Sequence, residues 1–133
     1  MKSILLDTHA WAWFLLEDNL LPAKHLSMIE EAEAVFISPV SFFEIAQKVR
    51  IGKWPEMQPH LNSLSHILDE QYGRLATLTP EISLNAGTMD WAHRDPFDRM
   101  LAATAINHEL PLISADTIFD ELANYKGWVG RVW

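Results

Sequence analysis

No cysteine occurs among the 133 residues, so neither a disulfide framework nor a thiolate zinc site is available. That composition suits a reducing compartment. Basic charge is scarce as well: 10 Lys and Arg stand against 18 Asp and Glu, leaving a formal charge of −8. Passive nucleic-acid binders gain most of their affinity by neutralising phosphates with cations, and this chain has too few for that. Long apolar runs are missing. Asp7, His9, Glu17 and Asp18 interrupt the N-terminal apolar stretch, which falls short of the roughly 20 residues a membrane span needs. Internal repeats, low-complexity segments and linkers are absent too. What remains is 49% apolar content in a length that buries roughly two-thirds of its unfolded surface, which excludes disorder and predicts one globular domain over residues 1–133.

Short apolar runs alternate with helical patterns. Ile4-Leu5-Leu6 reads as a strand ending at Asp7, followed by a helix over residues 8–17 and an amphipathic surface helix over 23–34. Val35-Phe36-Ile37-Ser38 predicts a second buried strand. The next helix starts at Pro39 after Ser38, or at Ser41 three residues before Glu44, and closes at Gly52. A Pro-containing loop leads into a helix near 60–72, then a third strand at Ala76-Thr77-Leu78. Thr79-Pro80 opens a helix to about Ala92, and Asp95-Pro96 opens another ending in MLAATAINH. Leu112-Ile113-Ser114 is a fourth strand, and residues 127–133 form an edge strand. Continuously apolar strands between helices predict an open, doubly wound α/β domain: a short-stranded parallel sheet with helices on both faces. Ligands of such sheets sit beyond the carboxyl ends of the strands, where strand order reverses.

Four acids follow strands or open helices at that edge: Asp7, Glu44, Asp98 and Asp116. Converging carboxylates repel unless a cation joins them, and Mg²⁺ or Mn²⁺ favours such oxygen ligands and can activate water beside a phosphodiester. Each acid also has a local use. Asp7 and Asp116 can cap the helices after them, Glu44 can close a capping box with Ser41, and Asp98 can be the third residue of a helix capped by Asp95. Of these, Asp95 is read as a cap, with Pro96 and Asp98 completing the pattern. Arg50 and Lys53 are read as solvated helix ends, His9 as structural, and most of the six Trp as core or oligomer contacts.

The segments ILLDTHAWAW, SPVSFFEIAQKVRIGKW, HRDPFDRMLAATAI and LPLISAD, in this order and spacing, resemble PIN-domain ribonucleases, specifically the VapC-type toxins of type II toxin–antitoxin pairs. The resemblance implies a PIN-like fold and a cytoplasmic, metal-dependent endoribonuclease toxin. It places the catalytic, metal-binding acids at Asp7, Glu44, Asp98 and Asp116, holding one or two Mg²⁺ or Mn²⁺. Ser114 matches a hydroxyl residue often found before the last acid, and Thr8, Arg99 and Arg94 are further candidates for positioning substrate or water. It also implies an RNA substrate, a cognate antitoxin protein and a homodimer. Two other readings compete: a receiver-type phosphoacceptor signalling domain, and a non-catalytic PIN-like protein-binding module. The receiver requires paired acids after the first strand and a Lys after the last internal one, where this sequence offers single aspartates.

Overall fold

A computed structural model describes residues 2–133. Among them, five strands form one parallel sheet: β1 (Ile4–Leu6), β2 (Val35–Ile37), β3 (Arg74–Leu75), β4 (Leu112–Ile113) and β5 (Arg131–Val132). Their spatial order is β3-β2-β1-β4-β5. Side chains of β1 alternate across the sheet, and every one of them is buried. Ile4 and Leu6 pack with Trp11, Ile29, Ile37 and Ile45 on one face. Leu5 packs with Ala102, Ala105, Leu112 and Phe119 on the other. The fully apolar run predicted for a strand covered on both sides is what β1 shows.

The first face is covered by α1 (Thr8–Leu15), α2 (Ala23–Glu31), α3 (Pro39–Arg50) and α4 (Leu64–Glu70). The second is covered by α6 (Pro96–His108) and a 3₁₀ segment at Thr117–Leu122. Helix α5 (Pro80–Thr88) packs on α6 through Ile82, Ala86 and Ala103, the two alanines letting the helices approach closely. The chain fills one side of β1 with β2 and β3, then crosses to place β4 and β5 on the other. The switch point therefore lies between β1 and β4, with Asp7 and Asp116 just beyond their carboxyl ends. Among the described residues no helix is long and apolar enough to cross a membrane.

Several boundaries differ from the sequence expectation. The third strand lies at Arg74–Leu75, not Ala76–Leu78. It is an exposed edge with one neighbour, so apolar content is no guide to it, and the Ala76 N–H adds a bond to the Ile37 carbonyl at 2.8 Å. The helix expected near 60–72 is divided: a 3₁₀ segment runs over Pro55–Ser63, and α4 begins only at Leu64, because Pro59 offers no N–H. Helix α5 stops at Thr88 rather than Ala92, with Met89 already extended. Helices α1 and α2 end at Leu15 and Glu31, short of Glu17 and Ala34, and the last strand narrows to Arg131–Val132. Of the two starts considered for α3, the first holds: Ser38 is the cap, its Oγ accepting from the Val40 N–H at 3.1 Å, with Pro39 in the first position.

Candidate functional site

Asp7 leaves β1 in extended conformation and caps α1, its Oδ1 accepting from the Ala10 N–H at 2.8 Å. Only 7% of the residue is exposed. Burial pushes its pKa from 3.8 up to about 6; Glu44 and Asp98 add to the rise, while the Ser114 hydroxyl and the Ala10 N–H oppose it. Asp116 leaves β4 in the same manner and caps the following 3₁₀ segment, Oδ1 accepting from the Ile118 N–H at 3.0 Å. Its own N–H donates to the Oγ of the fully buried Ser114 at 3.0 Å, and the Ser114 hydroxyl also bonds Asp7, so Ser114 ties the ends of β1 and β4 together.

Asp98 sits in the first turn of α6. Asp95 is the cap there, its Oδ1 accepting from the N–H groups of Phe97 and Asp98 at 2.8 and 3.1 Å. Asp98 Oδ2 lies 2.7 Å from His93 Nε2. Burial raises the Asp98 pKa, His93 counteracts this, and Asp95 and Asp116 add to the rise. Glu44 lies well inside α3, so the capping box with Ser41 does not form. Its buried carboxylate instead meets Lys48 Nζ one turn on, at 2.9 Å. Ser41 Oγ pairs with Thr8 Oγ1 at 2.9 Å, joining the starts of α1 and α3.

All four acids line one cleft of about 150 Å³, together with Asp95, Thr8, His9, Lys48 and Leu101. Five carboxylates thus face one lysine, and that lysine is already bonded to Glu44. Tighter spacing is confined to part of the site: the candidate ligand atoms of His93, Asp95 and Asp98 lie within 4.8 Å of one another, a group that Asp7, Glu44 and Asp116 do not join. A buried Asp without a cationic partner, among further oxygen donors, fits a hard divalent cation better than any group within the chain.

Two of the predicted positioning residues stand differently. Arg99 is a structural clamp: its Nε and terminal nitrogens donate to the carbonyls of Ala86, Met89, Trp91 and His93 at 2.6–2.9 Å. With four of its five N–H donors engaged, it neutralises neither Asp95 nor Asp98 and is not free to hold substrate or water. Arg94 is exposed beside the site. Lys48, which the sequence reading passed over, is signalled by its i,i+4 spacing from Glu44. His9, read as structural, is exposed and lines the cleft. Trp11 and Trp54 are buried, while Trp13, Trp91, Trp128 and Trp133 pack in part against the two cores.

The sequence and the fold have known counterparts. A family model described as PIN domain matches residues 4–125. The Ribonuclease VapC22 of Mycobacterium tuberculosis is 28% identical over 117 residues, which span 87% of this chain and 88% of that protein. The crystal structure of VapBC2 from Rickettsia felis bound to a DNA fragment from their promoter contains a chain that superposes with a TM-score of 0.63 at 13% identity, over 100% of this chain and 99% of that one. At that identity the likeness is one of fold.

Proposed function

The chain belongs to the PIN-domain family, and from that premise we propose that it is a metal-dependent endoribonuclease, the toxin of a toxin–antitoxin pair, with residues 1–133 forming one cytoplasmic nuclease domain. The observation that carries the reading is the shared cleft of Asp7, Glu44, Asp98 and Asp116 with a single lysine. The likeness to a ribonuclease over most of both chains supports the reaction class. These four acids would hold one or two Mg²⁺ or Mn²⁺, which when bound polarise a phosphodiester and lower the pKa of water.

The protein's own contribution is preorganisation. Asp7 and Asp116 each use Oδ1 as a helix cap, which fixes the carboxylate within the cleft. His93 orients Asp98, and Ser114 holds the Asp116 backbone beside Asp7. Lys48 balances the charge of Glu44. The receiver alternative needs a lysine following the last internal strand; here the cleft's lysine comes from α3 instead, and the family match removes the need for that alternative.

Cleavage of single-stranded RNA by the purified protein should require Mg²⁺ or Mn²⁺, and Asp98→Asn should abolish it in a folded protein. Full activity in excess EDTA would refute the mechanism. A folded protein that takes up Mn²⁺ in titration but cuts no RNA would favour the non-catalytic binding module.

An antitoxin partner is part of the same reading. Beside the end of α1, Trp13, Phe14, Leu15, Leu21 and Leu26 line a groove of about 630 Å³, rimmed by Glu17, Asp18 and Glu30. Trp11 is excluded from it, being core, with its indole N–H donating to Gln71 Oε1 at 3.0 Å. An apolar segment with basic ends suits this groove. A cationic side chain from that segment, Arg above all because its fork matches carboxylates, would compete for the acidic cleft. Truncating the antitoxin's C-terminal segment should therefore relieve inhibition. Unchanged inhibition would point to a block of homodimerisation instead.

A further inference from the structure

His9 and Trp54 form a feature that the metal site does not need. Trp54 is buried between the end of α3 and the 3₁₀ segment, and the His9 ring stacks on it at 4.8 Å between centroids and 27° between planes. Trp13 borders the same imidazole at 5.7 Å in a tilted arrangement. The ring is therefore held by aromatic neighbours although the residue itself is exposed, and it stands at the wall of the acidic cleft. Lys48, the one lysine or arginine lining that cleft among the described residues, lies over the Trp54 ring at 5.5 Å from its centroid.

A cleft floored by carboxylates repels a phosphate backbone, so a single-stranded substrate needs attraction that does not depend on phosphate charge. Stacking of a base on an aromatic face supplies it, tolerates any base, and is strongest where the ring is already fixed. We propose that the His9 ring, backed by Trp54, is the stacking platform for one unpaired base of the RNA next to the bond that is cut, with Lys48 beside it to meet the neighbouring phosphate. This inference rests on the ribonuclease reading and deepens it by naming how the strand is held.

The test uses a short single-stranded oligoribonucleotide cut by the full chain in Mg²⁺ or Mn²⁺, and a matched series with one abasic residue moved along the strand. In the wild type, one abasic position flanking the cleavage site should raise KM roughly tenfold with little change in kcat, the size expected for a lost base–aromatic stack. His9→Ala should show the same rise on the intact strand and no further penalty at that position. His9→Phe, which keeps the face but cannot carry a proton, should restore wild-type KM and the abasic penalty. No penalty at any position in the wild type, or an undiminished penalty in His9→Ala, overturns the platform while leaving the nuclease intact. Loss of kcat in His9→Phe also overturns it, by making His9 a proton carrier. If the wild type cuts no RNA with either ion, the nuclease reading falls and the platform falls with it.

Discussion

At the scale of single residues, capping and metal binding compete as explanations for each acid when only the sequence is in view, and the structure shows that capping does not take Asp7 and Asp116 out of the cleft. Asp7 and Asp116 each cap a helix through Oδ1 and also line the shared acidic cleft, so the cap and the cleft position coincide in one residue. Asp95 is a cap as its Pro96 neighbour predicts, yet it also lines the cleft, which no local pattern could tell. The stacking of His9 on Trp54 joins residues remote in sequence, which no local pattern reports. The raised pKa of Asp7 has a measurable consequence. Its folded value near 6 exceeds the ordinary 3.8, so its stabilising share is complete below pH 3.8 and is lost as the pH climbs through 6. Above that, the buried charge costs up to about 3 kcal/mol in metal-free protein. Asp7→Asn, which still caps, should therefore stabilise the metal-free protein at pH 8, with the gain fading toward pH 4 in urea melts. Added Mn²⁺ should raise the Tm of the wild type and leave that of the variant nearly unchanged. Asp95→Asn, by contrast, should retain cleavage and shift stability by about 1 kcal/mol or less, since Asn caps as well as Asp.

At the scale of elements, the segments with strong periodicity or a clear cap were legible: β1, α1, α3 and α6 begin where their residues direct. The edges were not. β3 and β5 each pair with one neighbour, so exposed residues such as Arg74 and Leu75 serve as well as apolar ones, and burial imposes no pattern to read. The early stop of α5 is explained by a residue ten positions beyond Met89, since Arg99 takes carbonyls from the end of α5 and the turn after it. Arg99→Ala would leave four carbonyls without this donor and should cost about 2–4 kcal/mol, whereas Arg94→Ala, on the exposed turn, should stay within about 0.5 kcal/mol. Chemical denaturation of the two variants checks this directly; equal effects would return Arg99 to the list of substrate-facing residues. Arg99→Lys should not rescue, because one ammonium cannot reach the four acceptors.

At the scale of the whole molecule, the doubly wound sheet and the edge that carries the acids followed from alternating apolar strands and helices, whereas the volume of the cleft and its balance of five acids to one lysine emerge only from assembly. Strand order also governs time. Residues 7, 44, 98 and 116 meet only after β1 has been flanked by β4, whose residues come more than a hundred positions later. Parallel pairings between such distant segments close large loops and form late in folding. A chain still emerging from the ribosome, with Asp116 not yet made, therefore carries an incomplete set of these acids. The acidic cleft is therefore a property of the finished sheet and of no earlier stage of the chain.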